Sequence, residues 1–270
     1  MTPIPYAELH AFPDGDDPFT GNPAGVCLMG EFLPDRVLRG IAQSNNLSET
    51  AFLVPSGKDR WDLRWFTPSV EVDLCGHATF ASGALLFERN LVSGKQATFS
   101  TRSGELKVSR EGDGQFAMDL PRVDYRPAEP DPIVVEALGA GIPVECLDIS
   151  RVHGAKYQMM VFADEATIAN LRPEHGLLAS AFTNVIATAR GKSADFVSRF
   201  FAPTSGVAED PVTGSAHCTL APYWAKKLGR PRLSARQIGP RPGALEVEPS
   251  GDRVILSGRA AMYMAGEIRL

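Results

Sequence analysis

One phrase of residues occurs twice in this chain, and the repetition constrains the fold more than any other feature. The first copy runs from Arg64-Trp65-Phe66-Thr67-Pro68 through Asp73 to Cys75-Gly76-His77-Ala78. The second runs from Arg199-Phe200-Phe201-Ala202-Pro203 through Asp210 to Thr213-Gly214-Ser215-Ala216. In each copy an aromatic-rich strand leads to a glycine that opens a helix. The repetition therefore predicts an internal duplication, with two halves of one architecture.

The two predicted helices, residues 76–90 and 215–228, carry mostly small or apolar side chains, and the first is apolar nearly all round. A helix of that kind is buried on every face, so strands must surround it. We predict an α+β fold of two pseudo-symmetric halves, each a curled mixed or antiparallel β-sheet around a central helix. The expected halves are residues 1–122, completed by a last strand at about 260–270, and residues 123–259, joined through a proline-rich linker at 121–132.

Composition and charge exclude several classes of protein. The chain has 270 residues, a hydrophobic fraction of 44% and a formal net charge of −5, with lysine and arginine dispersed along it. This pattern argues against a nucleic-acid partner, and the apolar runs are too short to span a bilayer. Neither the four cysteines nor the five histidines show metal-binding spacing, and no glycine-rich nucleotide motif is present. We expect a cytoplasmic protein with no metal and no cofactor.

The start of each central helix is a candidate anion site. Backbone N–H groups in the first turn lack intrahelical partners, and the helix dipole adds about half a positive charge there. Two such helix starts facing each other would form a cleft between the halves. A substrate carboxylate bound at the second start would have Asp210, Ser215 and His217 within reach. The predicted partner is therefore a small carboxylate.

Two more polar residues border predicted strands. Asn22 belongs to a predicted tight turn at 19–25, where it could line a pocket or only join two strands. Glu49 lies at the mouth of a strand at 51–54, beside polar and apolar residues. Partial desolvation there would raise the pKa of this carboxyl toward working pH, as acid–base catalysis requires. On the residues alone the pattern favours an exposed loop glutamate, and the catalytic interpretation stays open beside it.

Four motifs together resemble the PhzF-like phenazine-biosynthesis isomerase family, which has the diaminopimelate epimerase-like fold. They are Gly21-Asn22-Pro23-Ala24-Gly25, Asn46-Leu47-Ser48-Glu49-Thr50-Ala51-Phe52, Cys75-Gly76-His77-Ala78-Thr79 and Glu209-Asp210-Pro211-Val212-Thr213-Gly214-Ser215-Ala216-His217. The resemblance implies a cofactor-free homodimer that moves a proton within a dihydro-hydroxyanthranilate-like substrate. It also implies Glu49 as the acid–base catalyst. The implied substrate-binding residues are Asn22, Gly76, His77, Asp210, Gly214 and Ser215.

Several alternatives remain. Epimerases of this fold use two thiols, one from each half. Here Cys75 stands at the first of these positions and Thr213 at the second, so the two-thiol mechanism is incomplete. We therefore expect Cys75 to pack as a structural residue. Asp210 could cap the helix, Ser215 could be an ordinary cap residue, and His217 could only be packed. Pro222 has no functional explanation. The competing functions are a cysteine-assisted racemase or epimerase of an amino or hydroxy acid, and a non-catalytic small-molecule binding protein.

Overall fold

The computed structural model describes residues 3–112, 114–149 and 156–270. The chain divides into two compact units, Met1–Leu120 with Ile255–Leu270, and Pro121–Val254. None of the helices in the described ranges is long and apolar enough to cross a membrane.

In its described residues the first unit contains eight strands and two helices in chain order, followed by most of a long C-terminal strand. Its elements are β1 (Ile4–Ala11), β2 (Asn22–Leu28), α1 (Asp35–Asn45), β3 (Glu49–Gly57), β4 (Arg60–Phe66), β5 (Glu71–Val72), α2 (Gly76–Glu88), β6 (Gln96–Thr101), β7 (Gly104–Gly112) and β8 (Gln115–Pro121), with β17 (Arg253–Ile268). The strands pair in the order β17-β1-β2-β3-β4-β6-β7-β8, and β5 lies beside β4. Among the ladders described for this unit, β2–β3 and β4–β6 are parallel, and α1 and α2 lie in the crossovers that such pairings require.

Helix α2 is the centre of the first unit. Its residues from His77 to Phe87 are all buried, and it packs against β1, β2, β3 and β7. Phe80 stacks at 4.1 Å from Phe12, measured between ring centroids. Such burial on all sides explains why α2 shows no amphipathic period in the sequence. It also explains Gly83, since a Cβ there would lie 2.5 Å from the Val108 side chain on β7.

The second unit repeats this arrangement. Its elements are β9 (Tyr125–Pro127), α3 (Pro132–Leu138), β10 (Glu145–Ile149), β11 (Lys156–Val161), α4 (Glu165–Ala169), α5 (His175–Ser180), β12 (Thr183–Arg190), β13 (Phe196–Ala202), β14 (Val207–Asp210), α6 (Gly214–Leu228), β15 (Leu233–Gln237) and β16 (Gly243–Ser250). The strands pair in the order β9-β10-β11-β12-β13-β15-β16, with β14 beside β13. The parallel pairs are β11–β12 and β13–β15, the counterparts of β2–β3 and β4–β6.

An arginine–glutamate pair occupies the same place in both units. Arg64 on β4 donates two hydrogen bonds of 2.7 Å to Glu71 on β5. Arg199 on β13 donates two bonds of 2.7 Å to Glu209 on β14. Each guanidinium also lies over a phenylalanine ring of its own strand. Shared strand order and a shared arginine–glutamate ion pair confirm the predicted duplication and the α+β class.

Several boundaries differ from the sequence-based prediction. The predicted turn at 19–25 was wrong from Asn22 onward: Gly21, with φ of 79°, makes the turn, and Asn22 already begins β2. The predicted linker at 121–132 contains β9, which pairs with β10. Strands predicted at 253–256 and 261–268 are one strand, β17, and α5 was not predicted at all. The predicted caps of α3 are confirmed: Asp131 accepts from the Ile133 amide, and Gly139 has φ of 64°.

Pro222, which the sequence left unexplained, lies inside α6. Because proline has no N–H, the carbonyl of Cys218 one turn earlier loses its helical donor. The amide of Val123 donates to that carbonyl at 3.2 Å. The proline therefore leaves an acceptor for the segment that follows β8, and this segment pairs the Cys218 carbonyl.

The close contact between α2 and β7 gives a stability prediction. Gly83→Ala should destabilise the protein by about 1–3 kcal/mol, because the new methyl group collides with Val108. Gly40→Ala in α1, where no atom lies within 4 Å of the added Cβ, should instead stabilise it by about 0.5–1 kcal/mol. Urea unfolding of the two variants measures both effects, and equal changes of one sign would contradict the packing argument.

Candidate active site

Three reactive side chains meet at the start of α2. The Glu49 carboxylate lies 3.3 Å from Nε2 of His77, and Sγ of Cys75 lies 3.6 Å from Nδ1 of the same ring. One donor atom from each of the three residues lies within 4.8 Å of the others. Cys75 and His77 are buried, whereas the Glu49 side chain keeps 16% of its exposure. The structure thus brings together a carboxylate, a thiol and an imidazole beside a helix N-terminus.

Local backbone geometry explains how Glu49 reaches this position. Helix α1 ends at Asn46, whose left-handed φ of 51° turns the chain, and Glu49 is then the first residue of β3. Asn46 therefore ends α1 and Glu49 starts β3. As predicted, a strand and not a helix follows the capping-box pattern of these two residues. In the β2–β3 pairing Glu49 lies opposite Ala24. Asn22, two residues earlier on β2 and fully buried, shares that face of the sheet.

The electrostatics of this cluster favour a neutral imidazole. Burial lowers the pKa of His77, and the nearby Glu49 charge only partly opposes this effect. Although Nε2 is within ion-pair distance of Glu49, it has no hydrogen bond of good geometry to any described residue. A neutral ring between a thiol and a carboxylate can accept or donate a hydrogen bond.

A second group of predicted residues surrounds the start of α6 in the other unit. Thr213 is the N-cap, and its hydroxyl donates to the Asp210 carboxylate at 2.5 Å. Gln237 on β15 accepts from the Thr213 amide at 3.0 Å and donates to the Asp210 carbonyl. Thr213, and not Asp210, occupies the N-cap position of α6. Gln237, which positions both residues, was missed because nothing near it in the sequence marks it.

The remaining predicted residues occupy the first turns of the two helices. Gly76 and Gly214 are the first residues of α2 and α6, and the half-buried Ser215 is the second residue of α6. His217 is fully buried, and its Nδ1 lies 2.8 Å from the Thr213 carbonyl. Thr79 makes the equivalent bond to Cys75 in α2, at 2.6 Å. His217 therefore has a structural role in the first turn of α6.

Two other features could bind a ligand. Carboxylate, thiolate and imidazole are all zinc ligands, so Glu49, Cys75 and His77 are also the described residues best placed to hold a metal ion. A separate cavity of about 1030 Å³ in the first unit is lined mainly by apolar residues, including Ile4, Met29, Leu53 and Trp61. None of the predicted catalytic or substrate-binding residues lines this cavity. The reactive side chains therefore favour the cluster of Glu49, Cys75 and His77 as the active site.

Comparison with known proteins gives the family. The model of the phenazine biosynthesis-like protein family, PhzC-PhzF, matches residues 9–266. The chain belongs to this family. A relative from Pseudomonas aeruginosa, named an uncharacterized isomerase, is 48% identical over 256 residues, which cover 94% of this chain and 95% of the relative.

Solved structures agree with this family. The crystal structure of a phenazine biosynthesis protein of the PhzF family from Enterococcus faecalis has a TM-score of 0.90 at 39% identity and covers 100% of both chains. A probable proline racemase from Agrobacterium radiobacter has a TM-score of 0.63 at 14% identity, covering 99% of this chain and 93% of the racemase. At that identity the racemase shows only that the fold is shared. The predicted epimerase-like fold is confirmed.

Burial of His217 predicts a pH dependence of stability. Desolvation lowers its pKa from 6.5 to about 4 in the folded state, so the unfolded chain takes up a proton first as the pH falls. The free energy of unfolding therefore falls from about pH 6.5 downward, by about 2 kcal/mol between about pH 7 and about pH 5. Urea unfolding at both pH values should show this loss in the wild type and a smaller one in His217→Gln. An identical loss in the two proteins would contradict the assignment.

Proposed function

We propose that this protein is a cofactor-independent isomerase that moves a proton within a small carboxylate-bearing metabolite, such as a dihydro-hydroxyanthranilate-like acid. In this proposal Glu49 takes a proton from one carbon and returns it to another. The observation that carries it is the position of the Glu49 carboxylate, 3.3 Å from a buried imidazole at the start of α2. The relative named an uncharacterized isomerase supports the reaction class.

The physical case for Glu49 depends on its neighbours. A carboxylate beside a positive partner would be held ionised, whereas burial lowers the pKa of His77 and favours the uncharged ring. In this proposal Glu49 carries the transferred proton, and the uncharged His77 ring donates or accepts a hydrogen bond with the substrate. The first-turn amides of α2, which start at Gly76, would stabilise negative charge that develops on the substrate.

The proposal assigns the residues at the start of α6 to substrate binding. Asp210, Gly214 and Ser215 would hold polar groups of a bound carboxylate, with Thr213 and Gln237 fixing the position of Asp210. Asn22 would complete the set from β2. The proposal also includes a cytoplasmic homodimer with no nucleic-acid or membrane partner, as the charge pattern and the family resemblance suggest.

Glu49→Gln tests the proposed catalyst. The substitution keeps the size of the side chain and should lower the rate of proton transfer by at least about 100-fold, because an amide cannot act as a base. The measurement is deuterium incorporation into candidate small carboxylates in heavy water, followed by NMR.

Glu88→Gln is the matched control, since Glu88 lies at the opposite end of α2. This variant should exchange deuterium at nearly the wild-type rate. Near-normal exchange by Glu49→Gln would remove Glu49 from the mechanism. Saturable binding by the wild type without any exchange would leave a non-catalytic binding protein.

A second candidate function has an observation in its favour. Cys75 lies 3.6 Å from the His77 ring, which could take the thiol proton, so a thiol-assisted racemase or epimerase is chemically conceivable. Against it, the N-cap position of α6 holds Thr213, and a threonine hydroxyl is too weak an acid to exchange protons with carbon. A single thiol leaves the opposite face of the substrate without a partner.

Cys75→Ala separates the two candidates. If Cys75 only packs beside His77, the rate of proton transfer in the variant should lie within about tenfold of the wild-type rate. Neither protein should then invert the configuration of the substrate. Exchange at a stereocentre with inversion, lost in Cys75→Ala, would support the epimerase instead. Assays repeated after treatment with a chelator test the metal alternative, and loss of activity that zinc restores would contradict the cofactor-free proposal.

A further inference from the structure

The duplication allows residues of the two units to be matched one by one. On the β3–β4 ladder Arg64 lies opposite Phe52, and on the β12–β13 ladder Arg199 lies opposite Ala187. Because the two arginines form the same ion pair, Phe52 and Ala187 are equivalent. Counting back three residues along each strand matches Glu49 with Asn184. The helix starts match Cys75 with Thr213 and His77 with Ser215.

Asn184 is fully buried, and its amide has a defined orientation. Its Oδ1 accepts from the backbone amide of Thr204 at 3.2 Å and from the hydroxyl of Thr204 at 2.6 Å. A backbone N–H can only donate, so the atom that faces Thr204 must be the oxygen. The Nδ2 group therefore points elsewhere, and no described residue accepts a hydrogen bond from it.

A buried donor without an acceptor is costly, and an acceptor that arrives with a ligand would remove the cost. We infer that the Asn184 side-chain amide is a substrate-binding donor, which receives a carboxylate oxygen of the substrate beside the first turn of α6. This inference rests on the proposed function, since it names the residue that recognises the carboxylate of that substrate.

The chemistry of the position explains why it carries asparagine. A glutamate or aspartate there would repel a carboxylate, whereas a neutral amide donates to it without any change of protonation. The trio of the first unit, Glu49, Cys75 and His77, is ionisable. The equivalent trio of the second unit consists of Asn184, Thr213 and Ser215, which stay uncharged near neutral pH. The first trio is thus suited to proton transfer and the second to binding.

Binding of two probes to Asn184→Asp tests the inference. The introduced carboxyl keeps both bonds from Thr204 but loses the donor, so anthranilate should bind at least about tenfold more weakly near neutral pH. The neutral analogue anthranilamide should lose much less. Lowering the pH protonates the introduced carboxyl, which then becomes a donor, so anthranilate binding should recover toward that of the wild type. Calorimetric titration measures all of these affinities.

Thr204→Val is the matched control, because it removes the hydroxyl that holds Oδ1 but leaves the donor. It should lower the melting temperature with less than about a threefold change in anthranilate affinity. Equal anthranilate affinity in the wild type and Asn184→Asp overturns the inference, as does a wild type that binds neither probe. Since binding and not turnover is measured, a wild type that binds anthranilate but exchanges no deuterium with any carboxylate would overturn only the proposed isomerase.

Discussion

In each unit a paired arginine and glutamate connect two neighbouring strands. The arginine lies on β4 or β13, and the glutamate lies on β5 or β14, the short strand that precedes the central helix. Arg199 is 5% exposed, and besides Glu209 it donates to the carbonyl of Leu171. Removing one partner of such a buried pair costs about 3–5 kcal/mol, because the other charge is left in a site of low dielectric. The pair therefore fixes the path of the chain into α6, and the Arg64 pair does the same before α2. Every candidate residue at a helix start depends on that path.

The two units use this common frame for different chemistry. At the start of α2 the chain places a thiol, an imidazole and a carboxylate within a few ångströms of one another. At the start of α6 it places a threonine and a serine, with Asp210 held by the threonine hydroxyl. In the proposed function, an ionisable trio at one helix start and an uncharged trio at the other allow reaction and recognition to be altered independently.

The sequence predicted most of what depends on local pattern. The repeat, the two central helices and the caps of α3 were all readable, because glycine, proline and apolar runs act over a few residues. Asn22 was assigned to a turn, since Asn-Pro beside two glycines is a common turn signal; its pairing with Ala11 of β1 places it in a strand instead. Gln237 and Asn184 could not be identified locally, because their roles come from partners 20 or more residues away.

The proline of α6 has a consequence for how the two units of the chain are connected along the sequence. Since residue 222 offers no proton to the carbonyl of Cys218, that oxygen is kept for the amide of Val123, just after the first unit ends. The hydroxyl of Thr219 approaches the carbonyl of Val123 at 3.4 Å, so the incoming segment is bound through both its backbone groups. The helical hydrogen bond that Pro222 cannot make thus leaves a carbonyl that binds the segment at the start of the same unit.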